Sequence, residues 1–90
     1  MHLENIVTRI SKLFNRVQNE RYRPKFAEFE ALIAAAGFAE RSRKGSHRSY
    51  RHPKVPNILT IQPKGNMAQD YQVRDFLAMV AKYQLWADGE

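Results

Sequence analysis

Apolar residues recur at helical spacing in three segments of the chain. From about Leu3 to Glu20 they form one stripe opposite charged residues, which predicts an amphipathic helix. A second helix is predicted to start near Pro24, which suits a first helical turn, and Gly37 is well placed to end it. A third apolar stripe runs from Val73 to Tyr83, and Asp70 is a candidate cap for that helix.

Three short strands are predicted between the second and third helices. Residues 38–43 and 47–52 are too polar and arginine-rich for a buried helix, and Gly45-Ser46 suits a hairpin turn between them. Residues 58–61 are β-branched and apolar, which predicts a third strand. The order α-α-β-β-β-α indicates an α+β fold, with helices on one side of a three-stranded antiparallel sheet.

Period-2 alternation divides the second predicted strand between two faces. Positions 47, 49 and 51 lie on one face, and positions 48, 50 and 52 lie on the other. Since helices are expected to cover only one side of the sheet, one of these two sets is predicted to be open to solvent.

The charge and length of the chain narrow the class of partner. The 90 residues support a single domain, and 15 Lys and Arg against 9 Asp and Glu give a formal charge of +6, which favours polyanions. The absence of cysteine excludes a disulfide framework and a thiolate zinc site. Apolar stretches are too short for a membrane span and the amino terminus lacks a secretory layout, so we expect a cytoplasmic protein without a membrane partner.

A basic run at residues 41–53 holds the candidate chemistry. Near neutral pH a histidine can take the proton of a ribose 2′-hydroxyl, while neighbouring cations stabilise charge on the attacked phosphate. His47 lies just after the Gly45 turn and is the candidate catalytic residue. The predicted RNA contacts come from the turn and the strands beside it: Arg43, Lys44, Gly45, Ser46, Arg48, Tyr50 and Arg51.

Each of these candidates also has a simpler interpretation. A histidine in a basic strand more often binds a phosphate or forms a structural hydrogen bond than acts as a catalyst. Of His47 and His52, a structural role is favoured more strongly for His52, which precedes Pro53. Tyr50 could stack on a base, but a core position is favoured. The carboxylates are scattered without ligand-like spacing, so we predict neither a metal nor another cofactor.

Taken in order, these residues resemble the HicA family of toxins. The resemblance lies in Ala36-Gly37-Phe38 at a helix end, Lys44-Gly45-Ser46-His47-Arg48, then Tyr50, His52-Pro53 and Leu59-Thr60-Ile61. It extends from about Phe26 to Tyr83. The tripeptide Gly-Ser-His alone is a weak signal, whereas the ordered set is fairly specific.

The resemblance implies a double-stranded-RNA-binding-domain-like α-β-β-β-α fold, ribonuclease activity on messenger RNA with His47 as the catalytic histidine, and a HicB-type antitoxin as partner. Two features depart from the family pattern. The segment Gln62-Pro63-Lys64 lacks a second histidine that many members carry after the third strand. The first helix precedes the position at which family members usually start. We therefore divide the chain into an extension at residues 1–22 and a HicA-like domain at residues 23–86.

Three hypotheses follow for the function. The first is a toxin ribonuclease that uses His47 without a metal ion. The second is a non-catalytic RNA-binding module, because domains of this fold recognise RNA shape and phosphates without cleavage. The third is an interaction module whose first helix mediates oligomerisation and whose positive charge only keeps it in solution.

Overall fold

Six secondary-structure elements follow one another along the chain. A computed structural model describes residues 2–86, with side chains from residue 9 onward. The elements are α1 (His2–Asn19), α2 (Phe26–Ala35), β1 (Ala39–Lys44), β2 (His47–His52), β3 (Val55–Ile61) and α3 (Asp70–Tyr83). This order confirms the predicted α+β class, a double-stranded-RNA-binding-domain-like α-β-β-β-α arrangement preceded by an additional helix.

The three strands form one antiparallel sheet in the order β1-β2-β3. Gly45 and Ser46 connect β1 to β2 as predicted, and Gly45 has a φ of 60° while Ser46 does not have a positive φ. A positive φ at the first central position alone fits a type II′ turn, whose twist matches that of the flanking strands. The turn therefore fixes the pairing of Lys44 with His47, the first residue pair of the hairpin.

The core lies between the sheet and the helices. Phe29 of α2 and Phe76 of α3 are fully buried and meet edge to face, with ring centroids 5.6 Å apart. The sheet contributes Tyr50, Leu59 and Ile61 to the same core. Because only one side of the sheet supplies buried residues to this core, the other side remains open to solvent.

The additional helix α1 packs on this core through its second half. Phe14 and Val17 are buried within the same cluster, and Phe14 stacks on Trp86 with ring centroids 4.2 Å apart and planes 7° apart. These contacts confirm the core-packing interpretation of the predicted stripe in this half. The part of that stripe at residues 3–7 lies outside the described side chains.

Several predicted boundaries differ from the observed ones, among them that of β1, which runs one residue later than predicted at both ends. β3 begins at Val55 rather than at residue 58 and includes Pro56, which is tolerated because β3 is an edge strand. Asp70 is the first residue of α3, and Gln69 occupies the cap position. Pro24 is buried just before Lys25, the cap residue of α2, so it lies outside the first helical turn.

Candidate functional site

The register of the sheet assigns the side chains of β2 to their faces. Lys44 pairs with His47, while Ser42 pairs with Ser49, which in turn pairs with Thr60 of β3. Paired residues project from the same side of a sheet, so these residues share one side. That side points away from the helices, since Tyr50, the residue after Ser49, is buried in the core.

We define the open face as the set of strand residues on this solvent-facing side of the sheet. Its members are Ala39, Ser42, Lys44, His47, Ser49, Arg51, Ile58 and Thr60. Glu40 is the one acidic residue in the three strands, and it pairs with Tyr50 on the helix side. The open face therefore carries positive charge without a compensating carboxylate, which suits a polyanion.

His47 is placed at the end of the open face next to the hairpin turn. Its side chain is exposed, and the exposed Lys44 lies directly across from it on β1. Among residues 9–86 no ion pair involves His47. The structure thus presents a titratable imidazole and an ammonium group side by side on an accessible surface.

Arg51 extends the positive charge along the same face. It follows His47 by four residues, a separation of about 13 Å along an extended strand. Its side chain is exposed. Gly45 and Ser46 are also exposed, in the turn that precedes His47. Of the predicted site residues, these two and Lys44, His47 and Arg51 are brought together around one accessible surface.

The other side of β2 is engaged in internal contacts. The Tyr50 hydroxyl donates a hydrogen bond to Glu30 Oε2 at 2.7 Å, and an Arg48 terminal nitrogen contacts the same oxygen at 3.1 Å. The Arg48 guanidinium also lies 5.3 Å from the ring centroid of Phe26. Burial, and then the hydrogen bond to the Glu30 carboxylate, raise the pKa of Tyr50 well above its usual range.

Two predicted RNA contacts therefore lie away from His47. Tyr50 is only 5 % exposed, which confirms the favoured core position and leaves little of the ring accessible for stacking on a base. Arg48 is on the same helix side, where Glu30 holds its guanidinium. The cause is the two-residue period of the strand, which sends residues 48 and 50 to the opposite side from residue 47.

Arg43 also projects from the helix side of the sheet, at its outer edge. It pairs with Arg48 in the register but remains exposed, and its guanidinium forms two hydrogen bonds with the carboxylate of Glu40. These bonds lower the pKa of Glu40 and raise the pKa of Arg43. Because this pair is exposed on an edge strand, Arg43 could exchange Glu40 for a phosphate at small cost.

His52 has a structural role, as the sequence favoured. Its Nδ1 accepts a hydrogen bond from the backbone N–H of Lys54 at 3.0 Å, and its Nε2 lies 3.1 Å from the carbonyl oxygen of Ala36. This pattern fits a neutral ring that donates from Nε2. Gly37 has a φ of 99°, and a Cβ there would lie 2.9 Å from His52 Nε2, so both the backbone and the packing require glycine.

Glu30 is the residue that the sequence analysis missed. It binds both Arg48 and Tyr50 from α2, although 18 and 20 residues separate it from them in the chain. A signal was present, because Glu30 follows Phe26 by four residues and so falls on the buried side of the helix. A carboxylate at such a position requires a polar partner from another element.

Within residues 9–86, no group of three or more histidine or acidic side chains is arranged to hold a metal ion. No helix in this part of the chain is long and apolar enough to cross a bilayer.

Comparison with known proteins identifies the family. The model of the family described as the HicA toxin of bacterial toxin-antitoxin matches residues 26–79, which is more than half of the chain. Comparisons with curated proteins and with solved structures give no match. The matched region begins at the first residue of α2 and contains the whole sheet, including His47, while α1 lies outside it. The chain therefore belongs to the HicA family of bacterial toxins, which pair with an antitoxin.

Proposed function

We propose that this protein is a toxin ribonuclease that cleaves messenger RNA without a metal ion, with His47 as the catalytic residue. One observation carries the proposal: the exposed cross-strand pair of His47 and Lys44 stands on a face without carboxylates, inside the region that matches a toxin family. This pair supplies a base for the proton of the ribose 2′-hydroxyl and a cation for the charge on the attacked phosphate, which cleavage through that hydroxyl needs.

The chemistry requires one proton transfer to start and one to finish. His47 accepts the proton of a 2′-hydroxyl, whose oxygen attacks the adjacent phosphorus as the bond to the 5′-oxygen breaks. The products are a 2′,3′-cyclic phosphate and a 5′-hydroxyl, and the departing oxygen takes its proton from His47 or from water. Lys44 is placed to stabilise the negative charge that develops on the phosphoryl oxygens.

The remaining predicted contacts contribute to RNA binding directly or indirectly in this proposal. Arg51 contacts a phosphate further along the open face, and the exposed turn at Gly45 and Ser46 approaches the RNA next to His47. Arg43 contributes from the edge after releasing Glu40. Arg48 acts indirectly, because its contact with Glu30 fixes the strand that carries His47.

The proposed partner is a HicB-type antitoxin, and the proposed location is the cytoplasm, where messenger RNA is available. An antitoxin that inhibits cleavage by contact would cover the open face, since that is where His47 is exposed. An acidic surface on the antitoxin would complement the positive charge of this face.

A second candidate is a non-catalytic RNA-binding module of the same fold. The observation in its favour concerns the orientation of the imidazole: within residues 9–86 no ion pair with an acidic side chain holds His47. In many histidine-dependent sites such a partner fixes the ring. In this alternative, His47 would contribute a phosphate contact only, and its loss would lower RNA affinity slightly.

The test is incubation of the purified protein with mixed RNA in EDTA, beside the variants His47→Ala and His47→Gln. We expect cleavage by the wild type and at least a roughly hundred-fold loss in both variants, with 5′-hydroxyl ends in the products. Thermal unfolding of each variant controls for the fold, since removal of an exposed side chain should change stability by less than about 0.5 kcal/mol. Equal cleavage by the variants would remove His47 from catalysis, while salt-sensitive binding without cleavage by any of them would favour the binding module.

A further inference from the structure

Three hydroxyl side chains form a row across the whole sheet beside His47. Ser42, Ser49 and Thr60 occupy paired positions on β1, β2 and β3, and Ser49 Oγ lies 3.2 Å from Thr60 Oγ1. Adjacent strands are about 4.8 Å apart, so this hydroxyl row spans roughly 10 Å. It lies on the open face, where the proposed ribonuclease activity gives it no assigned part.

The hydroxyl row has unused capacity for hydrogen bonds. One O–H is used between Ser49 and Thr60, which leaves the other O–H of that pair and several acceptor lone pairs available. Ser42 adds a further hydroxyl at the same level of the sheet. The chemical group that matches such a mixed donor and acceptor surface is another hydroxyl.

The positions of the cations relative to the hydroxyl row further restrict the chemical class of the ligand. Lys44 lies on the side of the row next to the turn and Arg51 lies on the other side, each about 7 Å from the row along its strand. A cation, a hydroxyl group and a second cation are the complement of an RNA backbone, in which a ribose with its 2′-hydroxyl lies between two phosphates.

The open face also lacks the groups that read bases by stacking. None of its strand positions carries Phe, Tyr or Trp, and Ile58 is its one large apolar side chain. Proteins that bind single strands through bases place aromatic rings on the contact surface. The surface is therefore suited to the sugar-phosphate backbone rather than to the base sequence.

We infer that the hydroxyl row binds the 2′-hydroxyl of the ribose neighbouring the one that reacts at His47, and so selects RNA over DNA independently of base sequence. This inference rests on the proposed function, in that the open face is taken as the RNA-binding surface. Lys44 and Arg51 supply affinity for either nucleic acid through phosphates, whereas the hydroxyl row supplies the discrimination.

The test compares two ligands that differ only in the 2′-hydroxyl. The probes are fluorescein-labelled 12-nucleotide oligouridine and oligodeoxyuridine, and binding is followed by anisotropy in a His47→Ala background, where the RNA stays intact. The triple variant Ser42→Ala, Ser49→Ala and Thr60→Val removes the row. We expect roughly ten-fold weaker RNA binding, equivalent to one or two lost hydrogen bonds, with DNA binding unchanged.

Two control variants separate this effect from general changes of the surface. Ser11→Ala removes a hydroxyl from α1, outside the sheet, and should alter neither affinity. Arg51→Gln should weaken RNA and DNA binding together, so the ratio of the two dissociation constants stays at its starting value. Circular dichroism of the triple variant checks that the sheet is retained.

The possible results separate the inference from the proposed function. Unchanged RNA affinity in the triple variant, or an equal loss for RNA and DNA, would overturn the role of the hydroxyl row while His47-dependent cleavage by the wild type still supports the ribonuclease. Failure of the His47→Ala parent to bind RNA at all would overturn the inference, and absence of cleavage by the wild type would separately overturn the ribonuclease. A selective loss for RNA supports the inference whichever way the cleavage assay turns out.

Discussion

The two faces of β2 carry similar residue types and make opposite use of them. On the helix side, Arg48 is bound by Glu30 and His52 is held by two backbone groups. On the open face, Arg51 and His47 are exposed. The same strand thus contains one arginine and one histidine that stabilise the fold, and one of each that are accessible to a ligand.

This difference shows that partners, rather than residue type, decide what a polar strand residue does. A cation near α2 meets the Glu30 carboxylate and the ring of Phe26, and both contacts keep it on the protein. A cation on the open face meets no carboxylate in the strands, so its charge remains available to a phosphate.

The helix side should be most sensitive to the change Glu30→Ala. It leaves the partly buried guanidinium of Arg48 without a counterion and the Tyr50 hydroxyl without its acceptor. We expect a loss of about 3 kcal/mol in the free energy of unfolding, measured by urea denaturation. Glu40→Ala is the matched control, because it breaks an exposed ion pair and should cost far less. Equal costs for the two variants would contradict the account of the helix side.

Substitution of His52 should lower the stability of the fold, whereas substitution of His47 should lower RNA cleavage. His52→Ala removes two hydrogen bonds and the contact with Phe38, so we expect a loss of about 2 kcal/mol in the free energy of unfolding. RNA cleavage per folded molecule should persist. His47→Ala should show the reverse, with unchanged stability and lost cleavage. A large stability loss from His47→Ala would mean that its ring is engaged in the fold.

Tyr50→Phe should produce a smaller and pH-dependent effect. At pH 7 we expect a loss of about 1.5 kcal/mol in the free energy of unfolding, because the hydrogen bond to a charged Glu30 disappears. The folded state raises the pKa of Tyr50, so this tyrosine stays protonated in the fold while it ionises in the unfolded chain above about pH 10. The advantage of the wild type over the variant should therefore be full below pH 10 and shrink as the pH rises beyond it.

The measurement for this prediction is the difference in unfolding free energy between wild type and Tyr50→Phe at pH 8 and at pH 11. Comparing the two proteins at each pH cancels the titration of the other tyrosines and lysines. A difference that grows with pH would contradict the raised pKa and the buried position of the hydroxyl.

The elements of the fold could be predicted from the sequence because each has a local signal. The apolar stripes give the helices, and Gly45-Ser46 gives the hairpin turn that starts β2 at His47. The start of β3 was less predictable, because Pro56 is tolerated only after the strand is known to be an edge.

The site could be predicted only in part, for a reason that lies in β2. Its alternation was readable and Tyr50 favoured the core, but both sets of alternate residues are otherwise polar, so hydropathy gave only this one residue to indicate which set faces the helices. The deciding group is Glu30, whose contacts with Arg48 and Tyr50 join distant parts of the chain. Local sequence patterns place Glu30 on the buried side of its helix but do not show which residues of the sheet it contacts.

The most direct test of the division between the faces uses two arginines of the same strand. RNA affinity is measured as a function of salt concentration for Arg51→Gln and Arg48→Gln, both in the His47→Ala background and under conditions where each is fully folded. We expect Arg51→Gln to lower RNA affinity and to reduce the log-log salt slope by about one, whereas Arg48→Gln should lower stability and leave the slope unchanged. An equal reduction of the slope by Arg48→Gln would place RNA on the helix side as well and contradict the account.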